Sequence, residues 1–365
     1  MGRPSVMNGF PIGILIPTRN RLGYLKEALA SSLGQTCPDL HVVVIDNAST
    51  DGTREFMASP RDPRVYYIPN ESDIGIAGSI DKGIGAMPSA VKWCTVLGDD
   101  DQLDPGFIES MKRVVIFRSA RSVVHGHRVF IDADGHRIGV ALPSPVEESG
   151  EEFLRNRLYS RRMTYLTGVL FHRRVFGELG GYPKFPTGLA TDDALIFSLA
   201  LTDRLVYAPD AVALVRIHPE AESQSSGNLP EIVASMKAFR EYCVEVFGKA
   251  RGKRSEEVER LLAQYVHLIN SAMFLRRLHS LLETGGPAQR EELESLCAYV
   301  DGHGAEFSRR ARFAALFGPR PAICPERYPV YRFLWFLAGP SWRSRWRLHL
   351  LQKAASRSET RVQTD

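Results

Sequence analysis

The chain is poor in cysteine, and its cysteines show no grouping. Its 365 residues include five cysteines, which are scattered, odd in number and without a CxxC pair. This pattern argues against both a zinc site and a disulfide framework. No stretch approaches the roughly 18 apolar residues of a membrane span, and the first residues lack the apolar core of a secretory signal. We therefore expect reduced, buried thiols in a cytosolic protein.

A strong excess of charge is also absent. The formal net charge is +4 at pH 7, so the composition as a whole gives no reason to expect a nucleic acid partner. With 44% hydrophobic residues, the chain can bury a full core. Its length suggests one large domain with an appendage, or two domains.

The first hundred residues alternate short apolar strands with helical patterns. Strands are expected at residues 12–16, 41–45, 64–68 and 93–97, with amphipathic helices between them. Strands separated by helices form βαβ units, which predicts an α/β fold with a mostly parallel sheet and helices on both faces. In such sheets, ligands bind outside the carboxyl ends of the strands.

The remainder of the chain predicts a different organisation. Its middle part suggests a hairpin around the turn Asp132–Gly135 and a helix over Asp192–Leu201 with Thr191 as its cap, and it suggests three strands: Thr164–Phe171, Arg204–Ala208 and Ala211–Ile217. From Leu229 the pattern turns helical. We therefore divide the chain into a domain at 1–228, a C-terminal helical region at 229–355 and a flexible tail at 356–365.

Three consecutive aspartates, Asp99, Asp100 and Asp101, follow the apolar run Trp93–Leu97. A buried strand that ends in adjacent carboxylates places them at the carboxyl edge of the sheet. Adjacent negative charges repel one another unless a cation neutralises them, and hard divalent cations with oxygen ligands also bind diphosphates. A polar turn that caps the strand is the alternative reading of this aspartate triplet.

Three segments together resemble the nucleotide-binding half of family 2 glycosyltransferases with the GT-A fold. They are Ile16–Arg21, Val44–Thr53 and Leu97–Asp101, and their spacing agrees over the first ~110 residues. A weaker match runs from Gly168 through Asp193 to His218. The resemblance implies a mixed, mostly parallel sheet with a C-terminal helical appendage. It also implies metal-dependent, inverting transfer of a sugar from a nucleotide diphosphate, most often UDP, to a hydroxyl of a glycan or lipid-linked saccharide.

The resemblance also assigns roles to individual positions. The nucleotide sugar would be contacted by residues at four strand ends and on one following helix: Pro17, Thr18, Arg21, Asp46, Asp73, Lys82, Asp99 and Asp100. For Asp73 and Lys82, surface charge is the alternative. Asp99 and Asp101 occupy the outer places of the DxD motif, and with His218 they would bind Mn²⁺ or Mg²⁺. Arg216 and Ser223 are lesser candidates for phosphate contact.

The acid pair Asp192–Asp193 resembles the Glu-Asp motif in which the second acid is the catalytic base. This points to Asp193 as the group that accepts the acceptor proton, with Asp192 in the place of the glutamate. Both acids would also be favoured in a first helical turn by the helix dipole, without any catalytic role. His125 and His127 are candidates for the rim of the acceptor pocket, or for a solvated sheet face.

The segment Arg309–Lys353 combines many basic residues and aromatics with a single acid, Glu326. This composition suits an anionic membrane surface, which would place the protein at the inner face of the cell membrane. Packing on the catalytic domain, or contact in a homo-oligomer, explains it equally well. Two other functions stay open at this stage: a nucleotidyltransferase, and a non-catalytic module that binds sugar nucleotides.

Overall fold

The computed structural model describes residues 10–58, 62–159, 164–218, 228–284 and 287–307. The basic aromatic segment Arg309–Lys353, the tail 356–365 and Ser223 lie outside the described residues. Within them, the strands are β1 (Ile12–Thr18), β2 (Leu40–Asp46), β3 (Val65–Pro69), β4 (Trp93–Val96), β5 (Gln102–Leu103), β6 (Val123–Ile131), β7 (Arg137–Val140), β8 (Glu147–Glu148), β9 (Val169–His172) and β10 (Leu205–Arg216).

The helices fall in two groups. Those interleaved with the strands are α1 (Leu22–Leu33), α2 (Thr53–Ala58), α3 (Gly75–Gly85), α4 (Phe107–Phe117), α5 (Gly150–Leu158), α6 (Arg173–Glu178) and α7 (Thr191–Thr202). Three more follow the last strand: α8 (Leu229–Arg251), α9 (Glu256–Thr284) and α10 (Pro287–Gly302).

One mixed sheet contains all the strands of the described residues. Its main order is β3-β2-β1-β4-β9-β6-β10-β5, with β7 beside β6 and β8 beside β10. The first four strands pair in parallel, and β6 is parallel to β10. The other pairs are antiparallel. The prediction of an α/β fold with a mixed central sheet is therefore confirmed, and the predicted hairpin is β6–β7.

β1, β2 and β4 are buried almost throughout, which explains their continuous apolar character, whereas the edge strand β3 is only partly buried. Every residue of β1 is buried. Ile12, Ile14 and Ile16 share one core cluster with apolar residues of α1 and α4. On the other face, α3 approaches so closely that a Cβ at Gly83 would lie 2.3 Å from a methyl of Leu15. Glycine is required there because no larger side chain fits between helix and sheet.

Two predictions of strand bounds are wrong. β10 is one strand rather than two, because a shift of pairing with β6 between Ala208 and Val212 absorbs the irregularity that the sequence suggested. β9 begins at Val169, not at Thr164, because Gly168 adopts a positive φ of 85° that ends extended pairing. The residues before it form a turn that matters for the site.

Contacts divide the chain into two compact units. Among the described residues, the first unit takes in 10–153, 164–184 and 191–218, less 59–61, and it contains the sheet. The second takes in 154–159, 185–190 and the three C-terminal helices. In the second unit, Asn228 begins α8 with a capping box shared with Glu231, and Gly252 ends it at a φ of 67°.

Four cysteines lie in the described residues, and all are free and buried: Cys37, Cys94, Cys243 and Cys297. This agrees with the expectation of reduced, buried thiols. Among the helices that the structure describes, none combines the length and the apolar character that crossing a membrane requires.

Candidate active site

The loops after β1 and β2 are joined by side-chain to backbone hydrogen bonds. Asn20, at a positive φ of 53°, accepts a hydrogen bond from the amide of Thr50 at 2.7 Å. Asp51 accepts one from the amide of Leu22, the first residue of α1, at 2.8 Å. It also accepts a bond from the hydroxyl of Thr53, the first residue of α2, at 2.6 Å. The two loops therefore form one rigid edge at the carboxyl ends of the strands.

Asp46 lies at the end of β2 and is only 1% exposed. One carboxylate oxygen accepts from the amide of Ser49 at 2.8 Å, and the other accepts from the hydroxyl of Tyr67 on β3 at 2.6 Å. Burial and the neighbouring Asp46 raise the pKa of Tyr67, so its hydroxyl stays protonated and donates. The carboxylate of Asp46 is thus held in one orientation.

A second polar cluster lies beyond the ends of β2 and β3. Asn47 donates to Asp73, which also pairs with Arg19 from the loop after β1. Asn47 in turn accepts from Asn70 at 3.1 Å, and Asn70 accepts from Lys82 at 2.6 Å. Asp73 and Lys82, both predicted to contact the nucleotide sugar, therefore belong to one network through two asparagines.

The aspartate triplet follows β4 and is held by three other elements. Thr18, at the end of β1, donates to Asp99 at 2.8 Å. Arg21 donates to Asp99 at 3.2 Å and to Asp100 at 3.0 Å. Asp101 accepts a hydrogen bond from the hydroxyl of Thr167 at 2.5 Å. Asp99 and Asp101 are buried, with 6% and 7% of their surface exposed.

Burial and mutual repulsion set the protonation of the triplet. Burial and the charge of Asp100 raise the pKa of Asp99 to about 6 and that of Asp101 to about 8. Burial opposes ionisation of Asp100 as well, but the hydrogen bond with His218 and the charge of Arg21 outweigh it and lower its pKa. Each carboxylate in this cluster is therefore costly to ionise unless positive charge lies beside it.

His218 and Arg216 come from the end of β10. The ring nitrogen Nε2 of His218 lies 3.0 Å from Asp100, so His218 contacts the middle acid rather than the predicted partners Asp99 and Asp101. Arg216 is completely buried and donates to the backbone oxygens of Asp100, Asp132 and Ala133. Its guanidinium holds the loops together, which leaves it poorly placed for the phosphate contact predicted for it.

The acid pair at the start of α7 divides into two environments. Asp192 accepts from the hydroxyl of Tyr182 at 2.6 Å and from the amide of Leu166 at 3.0 Å. Burial raises the pKa of Asp192, with a further contribution from the charge of Asp193. Asp193 is itself buried, at 5% exposure. Both carboxyl oxygens of Asp192 therefore hold the turns that precede the helix. The helix α7 begins at Thr191, which was predicted as its cap.

The histidines predicted at the acceptor rim lie on β6. His125 is 1% exposed and stacks on Tyr207 at 4.9 Å between ring centroids, so the expectation of a rim or solvated face is wrong for it. His127 lies partly exposed, and its Nδ1 is 2.7 Å from the hydroxyl of Tyr207.

Within the described part of the chain, one group of three acids and histidines gathers its ligand atoms within 4.8 Å of one another. It consists of Asp132, Asp134 and His136 in the turn of the β6–β7 hairpin, where the last two are exposed. The ligand atoms of the predicted set Asp99, Asp101 and His218 do not all lie within 4.8 Å of one another.

A family comparison identifies the class to which this arrangement belongs. Residues 13–180 match the family described as "Glycosyl transferase family 2". The match takes in β1 to β4, the aspartate triplet and β9. Residues 13–180 are therefore a family 2 glycosyltransferase domain, and the prediction of an enzyme that transfers glycosyl groups is confirmed at this level.

Relatives with glycosyltransferase names extend beyond this domain. Glycosyltransferase GlyG of Streptococcus pneumoniae is 23% identical over 304 residues, which is 78% of this chain and 93% of GlyG. GlyA of the same organism is 22% identical over 56% of this chain, but the match spans 30% of GlyA. The PGL/p-HBAD biosynthesis glycosyltransferase of Mycobacterium tuberculosis is 27% identical over 46% of this chain and 62% of its own length.

Solved structures show the same fold. TarS 1–349 of S. aureus matches with a TM-score of 0.57 at 14% identity, over 88% of this chain and 91% of that chain. The same protein in complex with UDP-GlcNAc matches with a TM-score of 0.50 over 74% of this chain and 86% of that chain, again at 14% identity. The predicted GT-A fold is confirmed by these likenesses.

Sequence patterns missed four residues that hold the predicted ones in place: Asp51, Tyr67, Thr167 and Tyr182. Asp51 carried a signal, since aspartate is among the residues favoured where a helix begins. The other three act across the fold on residues far away in the chain, and no local pattern marks such partners.

Proposed function

We propose that the chain is a metal-dependent, inverting glycosyltransferase that moves a sugar from a UDP-sugar to a hydroxyl of a glycan or lipid-linked saccharide. The observation that carries this proposal is the aspartate triplet at the carboxyl edge of a family 2 domain, with Arg21 beside it. Each step of the reaction has a group of suitable chemistry among the described residues.

The donor end is supported by oriented hydrogen-bonding groups. Asp46, fixed by Ser49 and Tyr67, offers carboxylate oxygens to a base N–H or to ribose hydroxyls. Arg21 brings a cation to the edge where the diphosphate would lie, and guanidinium groups bind phosphates through paired hydrogen bonds. TarS, with the same fold, has been solved in complex with UDP-GlcNAc, which makes that donor the first to test.

The donor set fits a hard divalent cation. Asp99 and Asp101 offer buried oxygen ligands, and burial together with repulsion from Asp100 raises both pKa values. A bound cation would offset that repulsion, as Mn²⁺ and Mg²⁺ do with carboxylate ligands. Asp99 and Asp101 would hold the ion, whose charge would stabilise the departing diphosphate. His218 contacts Asp100 through Nε2, so this nitrogen would join the ion only by leaving Asp100.

Asp193 is the proposed catalytic base. The hydroxyl of Tyr182 and the amide of Leu166 bind both oxygens of Asp192, which gives Asp192 a positioning role. Its neighbour Asp193 then takes the acceptor proton as the new glycosidic bond forms. Attack by the acceptor opposite the departing diphosphate inverts the anomeric configuration in a single step.

Two features support an acceptor that is a glycan or a lipid-linked saccharide. The Mycobacterium tuberculosis relative is named for PGL/p-HBAD biosynthesis, and the basic aromatic segment Arg309–Lys353 would suit an acceptor at an anionic membrane surface. Membrane contact, homo-oligomer contact and a cytoplasmic location at the inner face of the membrane stay predictions.

A donor screen tests the proposal. Purified protein is incubated with UDP-, GDP-, ADP- and dTDP-sugars, with Mn²⁺, with Mg²⁺ or with EDTA, and release of the nucleoside diphosphate is measured. We expect release from a UDP-sugar that needs the metal and is lost in Asp101→Ala. Metal-independent release, or none from any UDP-sugar, contradicts the proposal.

Stereochemistry supplies a second test. ¹H NMR of the product formed first, before anomers equilibrate, reports its configuration. An inverted anomer agrees with a single displacement in which Asp193 acts as base, whereas a retained anomer contradicts the mechanism.

A further inference from the structure

We propose that Thr167 is a positioning residue that fixes the carboxylate of Asp101 and connects it to the acid pair Asp192–Asp193. This inference deepens the function proposed above and rests on it, because it concerns the geometry between the donor end and the catalytic base. It begins from a hydroxyl that is buried in the turn before β9, where Thr167 is 4% exposed.

The direction of each hydrogen bond at Thr167 is fixed by its partners. The amide of Gly98 lies 3.0 Å from the hydroxyl oxygen and can only donate. The hydroxyl proton is therefore available for Asp101, whose Oδ2 lies at 2.5 Å. A single hydroxyl thus ties the main chain just before the aspartate triplet to the side chain at its end.

A second donor completes the hold on Asp101. Its other oxygen, Oδ1, accepts from the backbone amide of Arg216 on β10 at 2.8 Å. One donor comes from the turn before β9 and the other from β10, so the carboxylate cannot rotate without breaking a bond to one of them. A carboxylate ligand held at both oxygens keeps its orientation before the substrate arrives, which is how supporting residues raise ligand affinity and activity.

The turn that carries Thr167 also reaches the acid pair. The amide of Leu166, the adjacent residue, donates to Asp192 at 3.0 Å. We call residues 165–168 the linking turn. Its two central residues thus contact both sides of the proposed reaction: Thr167 binds the donor-side carboxylate of Asp101, and Leu166 binds Asp192 at the start of α7.

Buried groups of β6 hold the linking turn itself. Arg128 of β6, 4% exposed, donates to the carbonyl oxygen of Thr167 at 3.3 Å and to that of Tyr165 at 3.0 Å. The carbonyl of Gly168 accepts from the amide of Gly126 at 2.7 Å. A turn anchored to β6 in this way can keep a fixed distance between Asp101, which Thr167 binds, and Asp192, which Leu166 binds.

The decisive variant is Thr167→Val, which keeps the shape of the side chain and removes the hydroxyl. It leaves the amide of Gly98 and Oδ2 of Asp101 without this partner. We expect kcat with the UDP-sugar to fall about 10- to 100-fold, while the KM for the acceptor stays near that of the wild type. Thr167→Ser restores the hydroxyl and should recover kcat to within about threefold of the wild type.

The chain offers a matched control in Thr95→Val. Thr95 lies on β4, the strand that leads into the triplet, and its buried hydroxyl has no hydrogen-bond partner among the described residues. The substitution makes the same chemical change at a hydroxyl that holds nothing, so kcat should match that of the wild type. Equal kcat values for Thr167→Val, Thr95→Val and the wild type would overturn the inference and leave the proposed function standing.

A double-mutant cycle tests the contact without using activity. Thr167→Val, Asp101→Ala and the double variant of the full chain are unfolded in urea without ligand. Positioning of one side chain by the other makes the two effects non-additive, and additive effects overturn the inference. If the wild-type protein releases UDP from no UDP-sugar while the cycle is non-additive, the proposed function is wrong and the positioning of Asp101 is supported.

Discussion

Two adjacent aspartates at the start of α7 show why identity alone does not assign a role to a residue. Asp192 and Asp193 have the same side chain and share a helical turn, but Tyr182 and Leu166 bind both oxygens of Asp192. A carboxylate that holds one structural donor on each oxygen must weaken one of these bonds when it is protonated during a reaction cycle. These two bonds give Asp192 a supporting role, and the proposal of Asp193 as the base rests on its place in the motif.

Substitution by asparagine separates these roles. We expect Asp193→Asn to lower kcat about 10²- to 10⁴-fold, because the acceptor proton loses its base, with little change in the affinity for UDP. Asp192→Asn should mainly lower the free energy of unfolding, by about 1–3 kcal/mol, because an amide has one accepting oxygen for the two donors Tyr182 and Leu166 and loses the hydrogen bond to a charged acceptor.

Steady-state kinetics, calorimetric titration with UDP and urea unfolding of both variants check this prediction. A kcat for Asp193→Asn within tenfold of the wild type, combined with a much larger loss for Asp192→Asn, would reverse the assignment of base and support.

At the scale of elements, the sequence predicted the parallel half of the sheet better than the rest. Runs such as Ile12–Ile16 are buried on both faces, and this makes them continuous and easy to recognise. The turn before β9 was mistaken for strand because its geometry depends on Gly168 at positive φ and on Arg128, which lies about 40 residues away. The same reason explains the site: acids at strand ends were predicted, whereas Tyr67, Thr167 and Tyr182 were not, since they act through tertiary contacts.

The ends of α1 and α2 lead to a prediction about stability and pH. Although partial burial opposes its ionisation, hydrogen bonds from Thr53 and Leu22 lower the pKa of Asp51 below its ordinary value of 3.8. A lowered folded-state pKa contributes stability that is present above pH 3.8 and is lost as the pH falls through the folded-state pKa. Asp51→Ala should therefore lower the free energy of unfolding at pH 7 by about 1 kcal/mol, as the loss of a helix cap does.

Urea unfolding from pH 7 downward measures this cost, with Asp210→Ala as the control at an exposed aspartate on β10. The difference in the free energy of unfolding between the wild type and Asp51→Ala should narrow below pH 3.8. The difference between the wild type and the control variant should stay near zero at each pH. A difference that is constant with pH would show that the charge of Asp51 plays no part.

The linking turn gives a second prediction at this scale. Gly168 has a φ of 85°, and a Cβ there would lie 2.9 Å from that of Ala213 on β10. Gly168→Ala should lower the free energy of unfolding by about 1–3 kcal/mol, because a side chain is strained in this conformation and also meets its neighbour.

Gly177→Ala on α6 is the matched control, since in the part of the chain that the structure describes no atom of a residue outside its own helix turn lies within 4 Å of the added Cβ. There the same change should be neutral or raise the stability by up to about 1 kcal/mol, as in ordinary helix positions. Equal urea midpoints for the two variants would show that the turn tolerates a side chain and is not held as tightly as its contacts indicate.

For the molecule as a whole, binding of a ligand at the proposed site would raise the free energy of unfolding. The acids proposed to act on donor, cation and acceptor lie at the end of β2, after β4 and at the start of α7, all in the first compact unit, and they exist as a group only when that unit is folded. A ligand that binds only the folded form raises the free energy of unfolding by about 2.7 kcal/mol at 100 times its Kd. For a unit of this size, each kcal/mol raises Tm by about 2–4 °C.

We therefore expect UDP with Mn²⁺, both far above their Kd, to raise Tm by about 5–10 °C. UDP with EDTA should give a smaller shift, because the repulsion among Asp99, Asp100 and Asp101 then adds to that of the diphosphate. Differential scanning calorimetry measures the shift, with Asp210→Ala as a control that keeps it and Asp101→Ala as the variant that loses it. A shift of equal size in Asp101→Ala would mean that the nucleotide binds without the triplet, and the triplet would then be a structural turn, as its composition alone also allows.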